Sequence, residues 1–252
     1  MEQYDVVILG AGLGGMLCAA ILSREGMRVA IIEQNKQVGG CLQTFSFDKK
    51  IFDSCVHYIG AMDEGQTQRR IFDLAGITEQ LHLRRLNDDC FDAIIFGDAP
   101  QVYPHAQGAQ RFVSVLQPYF PKEQEALQQY VALLKYVGNS FPLYNLRNGT
   151  GQEKDRVSSW SIRDGFQKSG VSQQLQQVLC GNNLLYAGQK DQTPFYVHAL
   201  VMKSYMDSAY KCIGGSSQIS KALWQQIRKH GGEIFRNEEV IEVGMEGGRA
   251  TY

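Results

Sequence analysis

Three glycines near the start of the chain have the spacing of a phosphate-binding turn. Gly10, Gly12 and Gly15 follow the apolar run VVIL, which predicts a buried strand, and lead into a helical pattern over residues 13–25 that Gly26 ends. In this motif the first glycine permits a tight turn, the second lets the backbone approach a pyrophosphate, and the third lets the helix pack closely on the strand. The helix N-terminus would direct free N–H groups at the phosphates. The pattern favours a dinucleotide site over a glycine turn without a ligand.

An acidic residue stands where such a site needs one. Glu33 follows a second predicted strand over residues 28–32 and lies 23 positions after Gly10. A carboxylate about 20 residues beyond the glycines binds ribose hydroxyls of a dinucleotide. Because a glutamate repels a 2′-phosphate, the sequence predicts against NADP.

A second glycine cluster, Gly39-Gly40, distinguishes between the remaining dinucleotides. A nicotinamide site has no need of paired glycines just after the ribose acid. FAD is longer and lays its ribityl–phosphate arm along this loop, where only backbone without a Cβ can come close. The alternative is a flexible surface turn. We therefore predict FAD as the cofactor, with an NAD-dependent dehydrogenase as an alternative class.

Composition limits the partners. Hydrophobic residues make up 44% of the 252 residues, charged residues 20%, and the net charge is −1, which is an ordinary globular balance with no electrostatic case for nucleic acid. No apolar run reaches the ~18–20 residues that span a bilayer. The cysteines lack the C-x-x-C spacing of a metal site and do not resemble a disulfide framework, so no metal is predicted and a reducing, cytoplasmic location is expected. Peripheral membrane contact through residues 141–144 is left open.

The pattern of elements predicts an α/β fold in which a Rossmann-like FAD/NAD(P)-binding domain carries an inserted α+β substrate domain. The predicted parts are a first FAD-binding segment, a substrate-binding insertion and a return segment, at residues 1–75, 76–205 and 206–252. Strands and hairpins are predicted at residues 45–47 with 50–52, 91–96 with 101–103, 233–236 and 240–243. Helices are predicted at residues 66–74, 110–116, 123–139, 162–168, 172–179, 195–206 and 218–230, with a polar loop at 148–156. A glycine turn follows at 246–249, and a returning strand needs ~5–6 residues, so we expect the N-terminal portion of a longer protein.

Several segments resemble one flavoprotein family. The runs VVILGAGLGGMLCA, EQNKQVGGCLQTF and FDSCVHYIG are similar to the FAD-dependent phytoene desaturase, carotenoid isomerase and retinol saturase family, and AYKCIGGSSQISKAL resembles its return into the FAD domain. GGCLQTF and HYIG are most similar to the retinol saturases. The resemblance implies hydride transfer between flavin and C=C or C–C bonds of a polyene, isoprenoid or retinoid-like lipid. Two features depart from the expected pattern. Cys41 stands where many members of the wider amine-oxidase-like superfamily have arginine directly after the glycine pair, and the family's C-terminal flavin-binding segment is not found in these residues.

The resemblance also implies the site residues. Those expected to contact FAD are Gly10, Gly12, Leu13, Gly14, Gly15, Glu33, Gly39, Gly40, Thr44 and Val240. His57 and Tyr58 are the candidates for substrate positioning or proton delivery, although His57 also fits a packed, hydrogen-bonded histidine. His198 is a weaker candidate, for which burial in the core is favoured. A dinucleotide-binding part of a flavoprotein without turnover of its own is the second alternative to the enzyme.

Overall fold

The computed structural model describes residues 3–189 and 192–250, and their contacts divide the chain into two units. Unit 1 takes the chain up to residue 58, residues 71–83 and the chain from residue 212; unit 2 takes residues 59–70 and 84–211. The predicted limits after residues 75 and 205 differ from this division at residues 59–70, 76–83 and 206–211. As functional domains, the three predicted segments stay a prediction.

Unit 1 is built on a parallel sheet. The strands β1 (Val6–Leu9), β2 (Val29–Glu33) and β10 (Glu233–Arg236) lie in the order β1-β2-β10, and both outer strands pair with β2 in parallel. Residues 29–31 of the central strand are at most 2% exposed, as expected for a parallel strand covered on both faces. The predicted α/β, Rossmann-like fold class is confirmed.

Two helices accompany this sheet. The helix α1 (Leu13–Arg24) directly follows the first glycine loop, and α9 (Ser217–Lys229) packs against α1. The residues Ile219, Leu223 and Ile227 of α9 recur at helical spacing and are almost completely buried. A further helix, α2 (Thr67–Ala75), carries the chain from unit 2 into unit 1.

Two hairpins complete unit 1. The predicted pair of strands is β3 (Thr44–Phe47) with β4 (Lys50–Asp53), joined at Asp48 and Lys49, both with positive φ. The second is β11 (Met245–Glu246) with β12 (Arg249–Ala250), around the predicted glycine turn. The predicted strand at residues 240–243 is wrong. Those residues are irregular and Ile241 is 91% exposed, so their apolar side chains have no buried face to hold a strand.

Unit 2 is mainly helical, with two small sheets. Its hairpin, β7 (Asp92–Ile95) with β8 (Val102–His105), is the predicted one. A three-stranded sheet consists of β5 (Ile59–Gly60), β9 (Ala209–Cys212) and β6 (Leu83–Arg85), in that spatial order. The helices are α3 (Ala109–Leu116), α4 (Gln124–Asn139), α5 (Gln152–Ser158), α6 (Ile162–Ser169), α7 (Gln173–Leu179) and α8 (Phe195–Asp207).

The helix α5 corrects the predicted loop at residues 148–156. Its sequence, QEKDRVS, offers one apolar residue for packing, Val157, which is fully buried. Acidic residues in its first turn and Arg156 in its last turn favour the helix through the macrodipole. Periodicity had too few apolar positions to indicate it.

The core of unit 2 surrounds α4. The side chains of Leu127, Tyr130, Leu134 and Val137 are at most 1% exposed, so the apolar stripe of this helix is core packing, as predicted. They belong to one cluster with buried residues of α3, α6, α7 and α8.

Candidate dinucleotide-binding site

The first glycine loop joins β1 to α1 as the motif requires. Gly10 has φ +98°, a conformation that favours glycine, and its N–H donates to the carbonyl of Ile32 at 2.8 Å. A Cβ at Gly15 would lie 2.2 Å from the carbonyl oxygen of Gly10, so only glycine lets the helix start this close to the strand. Gly12 is the N-cap of α1, and a Cβ there would meet no atom of the described residues within 4 Å. The position that this Cβ would take is therefore open space.

The second glycine pair lies directly against the first loop. The N–H of Gly39 donates to the carbonyl of Ala11 at 2.7 Å, and a Cβ at Gly40 would come within 3.2 Å of the Gly12 Cα. Gly39 and Gly40 have φ of +112° and +55°. We call Gly10, Gly12, Gly15, Gly39 and Gly40 the glycine cradle. Two loops far apart in sequence thus form one surface of backbone.

Glu33 ties the end of β2 to this cradle. One carboxylate oxygen accepts the N–H of Ala11 at 2.8 Å, and the other accepts the backbone and side-chain N–H groups of Asn35 at 2.8 and 2.9 Å. Burial acts to raise the pKa of Glu33, but the hydrogen bonds from Asn35 and Ala11 outweigh it and the pKa is lowered. The carboxylate is therefore ionised at neutral pH and is 6% exposed.

The start of α9 and the β3–β4 hairpin border the cradle. Asp53, at the end of β4, accepts the backbone N–H and the hydroxyl of Ser216 at 2.6 and 2.8 Å. A Cβ at Gly215 would lie 3.4 Å from the side chain of Thr44. The sequence analysis did not predict Asp53 as part of the site, because no local motif contains it. Its hydrogen-bond partner, Ser216, lies 163 residues away in the sequence.

A basic groove of about 710 Å³ adjoins the second glycine pair. It lies between residues 36–38, α9 and the end of β10, and the guanidinium of Arg236 lies 5.0 Å from the centre of the Trp224 ring. Ser220 links groove and cradle, since its side chain would be 3.2 Å from a Cβ at Gly39. The groove is lined by Lys36, Gln37, Val38, Ser220, Lys221, Trp224, Gln225 and Arg236.

Three of the other residues predicted to bind the cofactor lie in or shortly after the glycine loops, and the fourth, Val240, lies in a later segment. Leu13 and Gly14 form the first turn of α1, and Thr44 begins β3. Val240 lies in irregular backbone rather than in the predicted strand, although the N–H of Glu238 donates to the carbonyl of Glu33 at 3.1 Å. That contact brings the segment before Val240 beside the ribose-binding candidate.

His57 and Tyr58 lie in the loop between β4 and β5, outside regular structure. His57 is exposed and Tyr58 half-buried. The loop is anchored at its start, because the N–H of Ser54 donates to the carbonyl of Gln43 at 3.1 Å. Their predicted catalytic role is not tested by these contacts.

His198 is a buried core residue of unit 2. Its two ring nitrogens lie 2.8 Å from the hydroxyls of Tyr130 and Tyr186. Burial, followed by the charge of His105, lowers the pKa of His198 to about 3, so the ring is neutral. The core interpretation of His198 fits these contacts.

The fold and the cradle define a class: a dinucleotide-binding protein of Rossmann type. The model of the NAD(P)-binding Rossmann-like domain family matches residues 8–75. A crystal structure of an oxidoreductase from Methanosarcina mazei is similar in fold, with a TM-score of 0.62, 20% identity, and coverage of 97% of this chain and 54% of that chain.

The relatives are more specific. Human all-trans-retinol 13,14-reductase is 33% identical over 96% of this chain and 42% of its own length. A 4,4′-diapophytoene desaturase from a Methylomonas species is 21% identical over 97% of this chain and 49% of its own length. The resemblance predicted from the sequence is confirmed: the chain belongs to the phytoene desaturase, carotenoid isomerase and retinol saturase family. It spans about two fifths of the length of the human relative.

The apolar segment at residues 141–144 is less exposed than its sequence indicates. The ring of Phe141 packs against Tyr196 with centroids 5.1 Å apart, whereas Leu143 is 85% exposed. Across residues 3–189 and 192–250, no helix has both the length and the apolar character needed to cross a bilayer.

Proposed function

We propose that this chain is the dinucleotide-binding part of an FAD-dependent oxidoreductase that acts on C=C or C–C bonds of a polyene, isoprenoid or retinoid-like lipid. When bound, the flavin would supply the hydride transfer. The observation that carries the proposal is the junction of the two glycine loops through Gly39 and Ala11. The relatives' names, a retinol reductase and a diapophytoene desaturase, support the substrate class.

The glycine cradle fits the group. Backbone N–H groups at the start of α1 suit a pyrophosphate, and the open space at Gly12 accepts an anion close to the backbone. The paired glycines at 39 and 40 extend this surface beyond the first loop, as the longer flavin dinucleotide requires. Glu33 would hold the adenosine ribose with the acceptor capacity that its three hydrogen bonds leave.

The basic groove offsets the missing arginine at position 41. Lys36, Lys221 and Arg236 supply positive charge beside the second glycine pair, which favours a ligand carrying two phosphates. Beyond the cofactor, we propose that His57 and Tyr58 position the apolar substrate or deliver a proton to it. We also propose that the apolar substrate enters from a membrane surface that contacts the chain near Leu143.

The test titrates the chain with FAD, monitors binding by flavin fluorescence, and adds NAD as a competitor. We expect FAD to bind and the Gly12→Ala variant to bind it at least about tenfold more weakly, because the added methyl occupies the approach to the backbone. The midpoint of thermal unfolding should stay unchanged, since that methyl meets no described atom within 4 Å.

Gly151→Ala is the matched control. Gly151 is also an N-cap glycine with nothing within 4 Å of an added Cβ, but it belongs to α5 in unit 2. Equal FAD affinity for wild type and both variants would contradict the site. Binding of NAD but not FAD would instead indicate a nicotinamide dehydrogenase. Binding of FAD without turnover of a polyene by the full-length protein would favour the non-catalytic dinucleotide-binding alternative.

A further inference from the structure

The β3–β4 hairpin carries aromatic side chains on one of its two sides. Phe45 lies opposite Phe52 and Phe47 lies opposite Lys50, so these four side chains share one side of the hairpin. The rings of Phe45 and Phe52 are stacked, with their centroids 5.5 Å apart. We call the side that carries these four residues the aromatic face.

The other side of the hairpin faces the start of α9. Thr44 and Asp53 lie opposite each other on this side. Asp53 accepts hydrogen bonds from the backbone N–H and the hydroxyl of Ser216, and a Cβ at Gly215 would lie 3.4 Å from the Thr44 side chain. Because these contacts hold one side against unit 1, the aromatic face is turned away from α9.

The aromatic face is open to solvent. Phe45, Phe47 and Phe52 are 55%, 72% and 42% exposed. Together they expose apolar surface on the order of 300 Å², judged from the area of a phenylalanine side chain. A stable protein–protein interface takes about 800 Å² from each partner. The face is therefore small for a protein partner, whereas a bilayer can take up each ring without a complementary shape.

Positive charge accompanies the rings at the tip of the hairpin. Lys49 lies in the turn and Lys50 begins β4, and both are exposed. With Asp48, the tip has two lysines and one aspartate, which is a net charge of +1. Lysines beside apolar rings attract anionic lipid headgroups while the rings enter the boundary with the acyl chains. The charge of the tip thus favours an anionic membrane surface.

We propose that the aromatic face of the β3–β4 hairpin binds the surface of a bilayer that contains anionic lipids. The three rings lie at the boundary between headgroups and acyl chains, and the two lysines lie at the headgroups. This surface belongs to unit 1, whereas Leu143 belongs to unit 2. It requires neither FAD nor turnover, so it goes beyond the proposed function and is tested separately from it.

The first test sediments the chain with phosphatidylcholine vesicles, with and without phosphatidylserine. We expect the chain to bind the vesicles that contain phosphatidylserine. Phe47→Ser should bind at least about tenfold more weakly, because the apolar area of one ring no longer leaves water. Replacing Lys49 and Lys50 together by glutamine should remove most of the preference for phosphatidylserine. Ile241→Ser is the matched control, since Ile241 is 91% exposed and belongs to unit 1 but lies outside the hairpin.

A second measurement reports how deeply the hairpin enters the bilayer. Phe47→Trp keeps an aromatic ring at the tip and should bind vesicles like the wild type. Lipids with brominated acyl chains should quench its fluorescence beyond the quenching of the wild-type chain, because the ring lies about 5–10 Å into the bilayer surface. Ile241→Trp should show no such additional quenching.

Three results would contradict the proposal. The first is equal binding of wild type and Phe47→Ser to phosphatidylserine vesicles, or no binding by either. The second is a loss of binding in Leu143→Ser but not in Phe47→Ser, which would assign the membrane contact to unit 2 instead. The third is a dimer that Phe47→Ser dissociates, measured by light scattering without vesicles, in a wild-type chain that does not bind vesicles. That result would assign the aromatic face to a second copy of the chain.

Discussion

A methyl group on Gly15 would lie 2.2 Å from the carbonyl oxygen of Gly10, whereas one on Gly12 would meet no described atom within 4 Å. The two glycines of the same motif are therefore required for different reasons. Gly15 serves the fold, because it sets how closely α1 approaches β1. Gly12 has no such packing role, which is why its substitution separates ligand binding from folding.

Glu33 makes stability depend on pH at the acid end. Glu33→Gln should destabilise the chain by about 1–3 kcal/mol at pH 7, because a charged acceptor of three hydrogen bonds is lost. The pKa of Glu33 is lowered in the folded chain, so its stabilisation is present above the ordinary value of 4.5 and is lost as pH falls through the folded-state pKa.

Urea unfolding of wild type and variant at several pH values checks this. The difference in unfolding free energy should shrink at pH values below 4.5. Glu239→Gln, at an exposed position, is the control and should have little effect. A difference that is constant down to the lowest pH would show that the carboxylate's charge does not matter.

The environment of His198 also fixes its tautomer. Tyr186 uses its hydroxyl proton to donate to Asn183, so it must accept a hydrogen bond from Nδ1 of His198. The Nε2 atom then accepts from the hydroxyl of Tyr130. Both nitrogens are satisfied without a charge, which agrees with a structural role in the core.

At the scale of elements, helix α6 shows what local sequence can define. Ser161 accepts the N–H of Asp164 at 3.2 Å, while the Asp164 carboxylate accepts the N–H of Ser161 at 2.8 Å. Gly170, with φ +71°, ends the helix. The helix predicted at residues 162–168 agrees with these bounds, because capping depends on residues close in sequence.

Ser161→Ala should lower the unfolding free energy by about 1 kcal/mol, because it leaves one N–H of the first turn of α6 without its acceptor. The measurement is chemical unfolding with the wild-type chain as reference. Ser114→Ala is the control: Ser114 is exposed inside α3, and its hydroxyl donates to the carbonyl of Gln110 four residues earlier, so its loss should be near neutral. Equal losses in both variants would argue against the capping box.

Elements that depend on distant partners were not predictable in the same way. The sheet β5-β9-β6 joins strands of two to four residues, and Ile59 pairs with Tyr210. Residues 240–243 are mostly β-branched and apolar, as in a strand, but have no covered face. In each case a tertiary contact decides whether the strand forms, and the local sequence pattern does not predict that contact.

For the whole molecule, the same limit applies to the site. Each glycine loop was predicted from its own spacing, and so was Glu33 at the end of β2. The hydrogen bond of Gly39 to Ala11 and the hydrogen bonds of Asp53 to Ser216 form only when the chain is folded. The sequence therefore predicted the ligand class but not the residues that brace the cradle.

Unit 2 as a whole should lose stability in mild acid. Burial lowers the pKa of His105 to about 4, partly offset by the charge of Asp92, and lowers that of His198 to about 3. The unfolded chain binds these protons near pH 6.5, so stability is full above 6.5 and falls below it, by about 1.4 kcal/mol per pH unit for each histidine.

His105→Phe should remove one histidine's share of that slope. His105 lies among aromatic rings, 5.3 Å from Phe112 and 6.3 Å from Phe91 between centroids, so a phenyl ring suits the site. Urea unfolding between pH 7.5 and 5 measures the slope. His230→Phe, at the exposed end of α9, should leave it unchanged, and an unaltered slope in His105→Phe would refute the assignment.

The pairing of β10 with β2 has a consequence for synthesis on the ribosome. Ile31 of β2 pairs with Ile234 of β10. The strand β2 therefore leaves the ribosome with one edge unpaired, and some 200 residues are synthesised before β10 can pair with it. At about 5–20 residues per second, that interval lasts on the order of tens of seconds. All of unit 2 is translated in the meantime, and we expect it to acquire structure before the sheet of unit 1 is complete. The apolar β2 would then be the part of the nascent chain that most needs a chaperone.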